Sequence, residues 1–368
     1  MSINIFNTYI HPDANKNVEE VLSSTYISEG KLVKEFEKKL TSDLGIINPV
    51  TVNSGTSALH LALVMAGVKP NDEVILPAQT FIATGSVILQ QKACPVFADI
   101  DYKTGNISLD SIKSKISNKT KAIIVVHWGG YPCDMDEIID IAHKNNIMVI
   151  EDAAHSLGSI YKNRVIGEIS DFTCFSFQAI KHLTTGDGGA VSCKSKEIYQ
   201  KALSTRWFGI NRDNSKPSIL GEREFDINEL GFKYHMNDYA AALGLSNIIN
   251  FKQRLKHRHQ LAEFYTSNLS KIDGISLFDY KNDRKSAYWL FGFHVKKREQ
   301  FISALKSKGI MTSVIHQGID KYSVFGGKKI ELVNQRKFDE TQIHIPIHDS
   351  ITFEQANYIV EQIKLGWI

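Results

Sequence analysis

Four short, unbroken apolar runs in the first half of the chain limit what it can fold into. They occupy residues 74–76, 95–97, 122–126 and 147–150, and the stretches between them have the apolar spacing of helices. Runs without polar alternation are typical of strands that are covered on both faces, as in a parallel sheet flanked by helices. In such sheets, ligand-binding residues follow the strand ends. The pattern predicts an α/β domain with its functional residues at these ends.

Apolar residues three or four positions apart predict the helices. They cover residues 31–44, 57–66, 85–91, 134–145, 231–245, a long stretch that ends at 269, 299–308 and 353–364. Residues 288–295 are predicted as a strand and the polar residues 208–230 as a long loop, which in a compact domain is usually functional or mobile. A chain of 368 residues exceeds what one small core usually serves. We therefore predict a large domain over residues 1–245 and a small C-terminal α/β domain over residues 246–368.

The charge of the chain argues against a nucleic-acid partner. The 43 basic and 40 acidic residues leave a net charge of +3. This field is weak, and neither a helix-turn-helix pattern nor a basic arm is visible. No apolar run approaches the roughly 20 residues that a membrane helix needs, and the N-terminus lacks the basic and apolar regions of a signal peptide. We predict neither a nucleic-acid nor a membrane partner.

The cysteines indicate the redox compartment. Cys94, Cys133, Cys174 and Cys193 are spread along the chain without a C-x-x-C pair. This spacing argues against a zinc site and against a disulfide framework. We predict a cytoplasmic protein without a bound metal.

An acid and a downstream lysine indicate a specific cofactor chemistry. Glu151 and Asp152 follow the fourth apolar run, and Lys181 stands before the polar, glycine-rich residues 184–189. Pyridoxal phosphate (PLP) needs an acid that keeps its pyridine nitrogen protonated and a lysine that forms a Schiff base and moves protons. A single lysine is not informative in a chain with 43 lysines and arginines, and neither is a single acid. Their pairing and setting favour a PLP enzyme.

Three motifs in this region resemble those of the DegT/StrS-type nucleotide-sugar aminotransferases. They are the E-D-A-A-H segment at residues 151–155, the F-S-F-x-x-x-K segment at residues 175–181 and the T-G-D-G-G segment at residues 185–189. The resemblance extends from residues 27–30 to residues 345–348. It implies the aspartate-aminotransferase-like fold of PLP fold type I, with a large, mainly parallel sheet domain and a small C-terminal α/β domain. It also implies a homodimer with shared active sites.

The resemblance assigns several residues to the phosphate of the cofactor. Residues 53–59 end a strand-like piece and open a helix, whose N–H groups and dipole suit a phosphate, although the pattern also fits an ordinary N-cap. In the family the matching segment binds the PLP phosphate, which implies this role for Gly55, Thr56 and Ser57. Ser176 lies between two aromatic residues, and the family uses the matching serine on the same phosphate.

Three further residues are implied at the cofactor ring. Phe81 follows a strand and would stack on the ring, while its alternative is a place in the core. Asp152 would partner the pyridine nitrogen, and a simple helix N-cap is its alternative. His155 would lie beside the phenolic oxygen, where its alternative is a packing role.

The resemblance also separates transamination from dehydration. Lys181 is the implied Schiff-base lysine, and a histidine takes this place in the dehydratase branch of the family. The adjacent His182 is interpreted as a neighbour. Lys233 matches a residue that reaches the phosphate of the partner's cofactor, whereas without the family it would be interpreted as a surface lysine.

The reaction implied by the resemblance moves an amino group from glutamate to a nucleotide-linked keto sugar. We expect a 4-keto-6-deoxyhexose aminated at C4, with C3 amination of a 3-keto sugar second. The products of such enzymes usually enter lipopolysaccharide, including O-antigen, other surface glycans or glycosylated metabolites. Arg212, Lys216 and Arg223 in the polar loop could reach a diphosphate from the neighbouring subunit, or the loop could simply be solvated. A PLP enzyme acting on another keto acceptor and a non-catalytic PLP-binding regulator are the remaining alternatives.

Overall fold

The structure is a computed structural model that describes residues 2–211 and 216–367. Strands and helices alternate through the first half of these residues. In the described part of the chain the strands are β1 (Pro49–Val52), β2 (Glu73–Pro77), β3 (Cys94–Ala98), β4 (Thr120–Val126), β5 (Met148–Asp152), β6 (Ile160–Tyr161), β7 (Arg164–Val165), β8 (Phe172–Ser176), β9 (Gly189–Cys193), β10 (Lys216–Pro217), β11 (Arg223–Glu224), β12 (Ile275–Leu277), β13 (Arg284–Lys285), β14 (Phe291–Val295) and β15 (Gln342–Ile345). The α-helices are α1 (Ala14–Ser24), α2 (Lys31–Leu44), α3 (Gly55–Met65), α4 (Ile82–Gln90), α5 (Leu109–Lys115), α6 (Met135–Lys144), α7 (Lys196–Thr205), α8 (Asp238–Asn247), α9 (Phe251–Leu269), α10 (Arg298–Ser307), α11 (Val333–Thr341) and α12 (Phe353–Lys364).

A seven-stranded sheet with the order β1-β9-β8-β5-β4-β2-β3 forms the centre of the molecule. The pairs β2–β3, β2–β4, β4–β5 and β5–β8 are parallel, whereas β9 runs antiparallel to β1 and β8. The four apolar runs of the sequence lie within or overlap β2 to β5, so the predicted α/β sheet is confirmed. Because β5 and β8 are parallel neighbours, residues that follow their C-terminal ends come together at one edge.

Both faces of this sheet are buried, as the apolar runs predicted. Ile123 and Val125 of β4 pack in one hydrophobic cluster, while Ala122 and Ile124 pack in a second cluster on the other face. Alternate side chains of a strand point to opposite faces, so each run must be apolar throughout. The helices predicted at residues 31–44 and 353–364 coincide with α2 and α12.

The C-terminal part has a separate hydrophobic core. Its antiparallel sheet has the order β12-β14-β15, and Leu261, Phe293 and Ile359 pack in one cluster with it. Ile3 joins this cluster and forms a bridge with Ile310, so the N-terminal strand segment crosses to this side. A domain boundary near residue 246 stays a prediction, since α8 and α9 flank it without an extended linker.

One helix prediction is wrong in its first half. Residues 231–237, predicted as the start of a helix, are extended, and α8 begins only at Asp238. Bridges join Trp207 to Lys233 and Val52 to His235, so pairing with the end of β1 overrides the local helical pattern. The predicted long loop contains a short hairpin of β10 and β11, and Arg212 lies outside the described residues.

Neither a membrane-spanning helix nor a disulfide is found among the described residues. Among the described residues, none of the helices is both long and apolar enough to cross a membrane. Each cysteine has a free thiol, exposed at Cys94 and buried at the other three positions.

Candidate active site

A cavity of about 410 Å³ opens where β5 and β8 end and where α3 and α4 begin. This volume lies within the roughly 300–1,000 Å³ that is typical of small-molecule sites. Seven of the nine residues predicted from the sequence line it: Gly55, Thr56, Phe81, Asp152, His155, Ser176 and Lys181. Ser57 and Lys233 do not line it.

The N-terminus of α3 forms one end of the cavity. Ser54 is the N-cap, and its side chain accepts a hydrogen bond from the Ser57 backbone N–H at 3.0 Å. A Cβ atom on Gly55 would come within 2.9 Å of the Ser176 Cβ, so only glycine lets the helix approach the end of β8 this closely. The first N–H groups of a helix lack partners within the helix and carry a partial positive charge. Together with the Ser176 and Thr56 hydroxyls, they form a cradle suited to a phosphate.

Ser57 is directed elsewhere. Its hydroxyl donates a hydrogen bond to Asn53 Oδ1 at 2.6 Å and lies 2.9 Å from Ser54 Oγ. The hydroxyl is therefore engaged in the cap, which was the alternative interpretation of this segment. Phosphate binding by Ser57 stays a prediction.

Asp152 stands at the end of β5 with its carboxylate held from two sides. Its Oδ2 accepts a hydrogen bond from Thr84 Oγ1 at 2.7 Å, and its Oδ1 accepts one from the Ala154 backbone N–H at 3.2 Å. Burial raises the pKa of Asp152, while the two hydrogen bonds and the nearby Lys181 amine oppose that rise. Thr84 was not identified from the sequence, because it lies just before the predicted helix at residues 85–91 and belongs to none of the motifs.

Lys181 lies in the turn between β8 and β9, and its amine enters the same cavity. Burial lowers the pKa of this amine to about 7, although the Asp152 carboxylate acts in the opposite direction. At neutral pH a large share of the amine is therefore neutral, which is the form that attacks an aldehyde. The Lys181 Nζ lies 3.7 Å from the centre of the Trp289 ring.

His155 has one nitrogen without a partner. Its ring stacks on Trp289 with 3.8 Å between centroids, and its Nδ1 is buried with no hydrogen-bond partner among the described residues. Burial, followed by the charge of Lys181, holds the pKa of His155 well below its usual value, so the ring is neutral. A buried polar atom in a cavity needs a partner, and a bound cofactor with a polar oxygen would supply one.

Phe81 and His316 form the open side of the cavity. Phe81 is 53% exposed, which contradicts a core role for this residue. Its ring lies 5.2 Å from that of His316, whose backbone is left-handed with φ 55°. His316 and Trp289 reach the site from the C-terminal half and were missed, because no motif surrounds either of them in the sequence.

Lys233 is exposed in the extended segment before α8. Its backbone carbonyl accepts a hydrogen bond from Asn53 Nδ2 at 3.4 Å, close to the beginning of α3. The predicted role of Lys233 concerns the site of a partner subunit, so it stays a prediction.

The residues present fit pyridoxal phosphate. The cavity combines a phosphate cradle, a carboxylate at one strand end, an unpaired histidine nitrogen and a lysine with a lowered pKa. This fold and this site are those of a PLP-dependent aminotransferase. A family model described as the DegT/DnrJ/EryC1/StrS aminotransferase family matches residues 8–364, and the chain belongs to this family.

Curated relatives match the chain over nearly its whole length. The spore coat polysaccharide biosynthesis protein SpsC of Bacillus subtilis is 34% identical, over 95% of this chain and 93% of its own. The GDP-perosamine synthase of Escherichia coli O157:H7 is 32% identical, over 94% and 93%. The UDP-4-amino-4,6-dideoxy-N-acetyl-beta-L-altrosamine transaminase of Campylobacter jejuni is also 32% identical, over 98% and 99%.

Solved structures share the fold. The sugar aminotransferase CalS13 from Micromonospora echinospora superposes with a TM-score of 0.94 at 32% identity, over 99% of this chain and 100% of its own. The PLP form of Spr1654 from Streptococcus pneumoniae superposes with a TM-score of 0.91 at 29% identity, over 99% and 98%. The fold-type I prediction is confirmed, and pyridoxal phosphate is the cofactor of this enzyme.

Proposed function

We propose that this enzyme transfers the amino group of glutamate to C4 of a nucleotide-linked 4-keto-6-deoxyhexose. The observation that carries the proposal is the single cavity in which Lys181 and Asp152 meet a phosphate cradle. Two relatives support the substrate class, because their names contain nucleotide-linked sugars, and one name places an amino group at C4 of a 4,6-dideoxy sugar. The name of SpsC refers to the biosynthesis of a spore coat polysaccharide, which supports a product that enters a surface glycan.

The residues that line the cavity would bind different parts of the cofactor. Gly55, Thr56 and Ser176 hold the cofactor phosphate through helix N–H groups and hydroxyls. Phe81 would stack on the cofactor ring. The His155 Nδ1, which has no partner among the described residues, would interact with the phenolic oxygen of the cofactor. Bound pyridoxal phosphate supplies the electron sink and carries the amino group between donor and acceptor.

Lys181 moves the protons. Its Nζ would accept the proton from Cα of the amino donor and would later release it. A base with a pKa near the working pH can both accept and release a proton, and the pKa of Lys181 is lowered to about 7.

Asp152 keeps a proton on the ring nitrogen. A carboxylate stabilises this proton by its charge, and the hydrogen bond from Thr84 fixes the carboxylate at the end of β5. Burial raises the pKa of Asp152, and the carboxylate would be kept ionised by the opposite charge of a protonated ring nitrogen.

We infer a homodimer in which Lys233 contributes to the phosphate site of the partner. The exposed side chain of Lys233 and its position next to α3 support this arrangement. Ile219 and Leu220, between β10 and β11, and Leu230, six residues after β11, are strongly exposed in the single chain, as expected for a surface that a second copy covers. Lys216 and Arg223 of the hairpin would then reach a diphosphate in the site of the neighbouring subunit.

Three alternatives have separate signatures. C3 amination of a 3-keto sugar would change the position of the new amine in the product. A different keto acceptor would leave transamination intact without any sugar product. A non-catalytic PLP-binding regulator would show no turnover at all.

The experiment offers glutamate together with thymidine-, uridine- and guanosine-linked 4-keto-6-deoxy sugars. The amino sugar is followed by mass spectrometry and its amine position by NMR, with Lys181→Ala as the inactive control. We expect one nucleotide to be preferred and the amine to appear at C4. Failure with all three sugars, combined with turnover of a free keto acid, would contradict the sugar assignment and leave the PLP chemistry in place.

A further inference from the structure

Trp289 touches the reacting lysine, and the mechanism above gives it no role. The Lys181 Nζ lies 3.7 Å from the centre of its ring, and the indole is only 2% exposed. This distance is well inside the roughly 6 Å at which an ammonium is attracted to an aromatic face. The attraction is larger where the groups are shielded from water, and the indole itself is almost fully buried.

The indole is held in place from several directions. Its Nε1–H donates a hydrogen bond to the backbone carbonyl of Ile180, 3.0 Å away, which ties the ring to the residue before Lys181. The His155 ring stacks on it at 3.8 Å and the Phe6 ring at 5.1 Å. The amine of Lys181 therefore meets an aromatic face that is already fixed relative to its own backbone.

Few other groups near Lys181 favour its charged form. The titratable side chains that line the cavity or act on the amine are Asp152, His155, His182, Asp187 and His316. Burial lowers the pKa of each of the three histidines, so they are neutral near pH 7 and do not attract the ammonium. Asp187 lies at the exposed rim. Asp152 favours the ammonium and also accepts a hydrogen bond from Thr84. It is present in every variant compared below, so it does not account for a difference between them.

We propose that Trp289 is a positioning residue that holds the Lys181 ammonium on its indole face while the lysine is free of the cofactor. This inference rests on the proposed function, because only an enzyme that releases its lysine during turnover needs such a place. The indole keeps the protonated amine at the cavity and prevents it from adopting other rotamers. The indole also offsets part of the free-energy cost of burying the charged amine.

The first test uses the cofactor-free protein and no substrate. An amine-reactive label in limiting amount is applied between pH 5 and 10, and labelling of Lys181 is measured by mass spectrometry to obtain its pKa. Trp289→Leu should lower this pKa by about one unit, a tenfold change in the protonation equilibrium, because the aromatic face is lost. Trp289→Phe should lower it less, since phenylalanine keeps a smaller and weaker aromatic face, although it loses the N–H group that binds Ile180.

Phe6→Leu is the matched control. It loosens the packing against Trp289 but leaves the indole in place, so the pKa of Lys181 should not change. Melting curves of the three variants identify any that fail to fold, and Trp289→Phe keeps the test valid if Trp289→Leu does fail. An unchanged or raised pKa in a folded Trp289→Leu protein would overturn the proposal. Equal shifts in the two tryptophan variants would also overturn it, by assigning the effect to the hydrogen bond with Ile180.

The second test measures a single turnover of the loaded enzyme with glutamate alone. Loss of the held ammonium should lower the rate of this half-reaction about tenfold in Trp289→Leu, while the glutamate concentration for half-maximal rate stays the same. A purely structural role would instead change both values, or neither. No sugar is present in this test. Failure with the keto sugars would therefore contradict the proposed acceptor, whereas an unchanged rate of this half-reaction would contradict the role of Trp289.

Discussion

Replacing Asp152 with asparagine should separate the activity of this enzyme from its stability. Asparagine has nearly the same shape and retains one carbonyl oxygen, which can accept the hydrogen bond from the Ala154 N–H. Its amide group would then face Thr84, whose hydroxyl lies 2.7 Å from Thr80 Oγ1 and can turn to accept. The two protein contacts of Asp152 can therefore be kept in altered form, with a neutral group in place of the charge.

The change in stability is the difference between two opposing effects. Hydrogen bonds to a charged acceptor are worth roughly 1.5–3 kcal/mol and neutral ones about 0.5–1.5 kcal/mol, so two bonds to Asp152 lose about 2–3 kcal/mol together. Against this, burial raises the pKa of Asp152 above its unfolded value. A raised carboxyl pKa means that stability is lost as pH rises through the folded pKa, and asparagine removes this loss. Near neutral pH, we expect the cofactor-free variant to melt within a few degrees of the parent.

Activity should fall far more. Loss of one electrostatic group aimed at a developing charge typically costs about 10²- to 10³-fold in rate. The assay is a single turnover with glutamate, followed by the absorbance of the bound cofactor. A rate equal to that of the parent would refute the role of Asp152 at the ring nitrogen. Slow turnover explained by a comparable loss of folded protein would refute it as well.

Glu151 provides the matched control. It is the neighbouring acid on β5, fully buried, and it accepts hydrogen bonds from His127 at 2.7 Å and from Ser170 at 2.5 Å. Although burial alone would raise the pKa of Glu151, its hydrogen bonds hold the pKa below the usual value. Glu151→Gln should therefore destabilise the protein by about 1–3 kcal/mol, because His127 and Ser170 would then donate to a neutral amide instead of a charged carboxylate. The rate per folded molecule should stay close to that of the parent, which is the reverse of the pattern for Asp152.

Three further substitutions test other parts of the site. Lys181→Ala should abolish turnover and the absorbance of the lysine-bound cofactor, and normal turnover would overturn the assignment of this lysine. Mixing Lys233→Ala with Lys181→Ala subunits should restore activity through heterodimers that have one intact site, whereas demonstrated heterodimers without activity would indicate that each subunit builds its own site. Gln79→Leu removes a hydrogen bond of 2.9 Å to the carbonyl of His316, whose φ is 55°. It should raise the KM of the sugar more than that of glutamate. Equal changes in both KM values would argue against a contact between the segment around His316 and the acceptor sugar.

The sequence by itself determined the sheet and the pair of residues at its edge. A strand buried on both faces must be apolar at every position, so β2 to β5 left continuous runs that need no tertiary information to be recognised. Asp152 and Lys181 follow β5 and β8, which are parallel neighbours. The motifs around these two residues are local in the chain, and therefore they could be identified before the fold was known.

Only the tertiary structure decided which distant side chains complete the site and which local patterns are overridden. Trp289 is separated from the carbonyl that it binds by 109 positions, and its place depends on packing between two halves of the chain. Residues 231–237 are extended because they pair with Trp207 and Val52, which a helical pattern in the sequence does not reveal. The Ser57 hydroxyl closes the helix cap with Asn53, since a nearby acceptor competes with the cavity for the same hydrogen bond. Contacts between residues far apart in the chain leave no periodic trace in it, so the fold alone determines them.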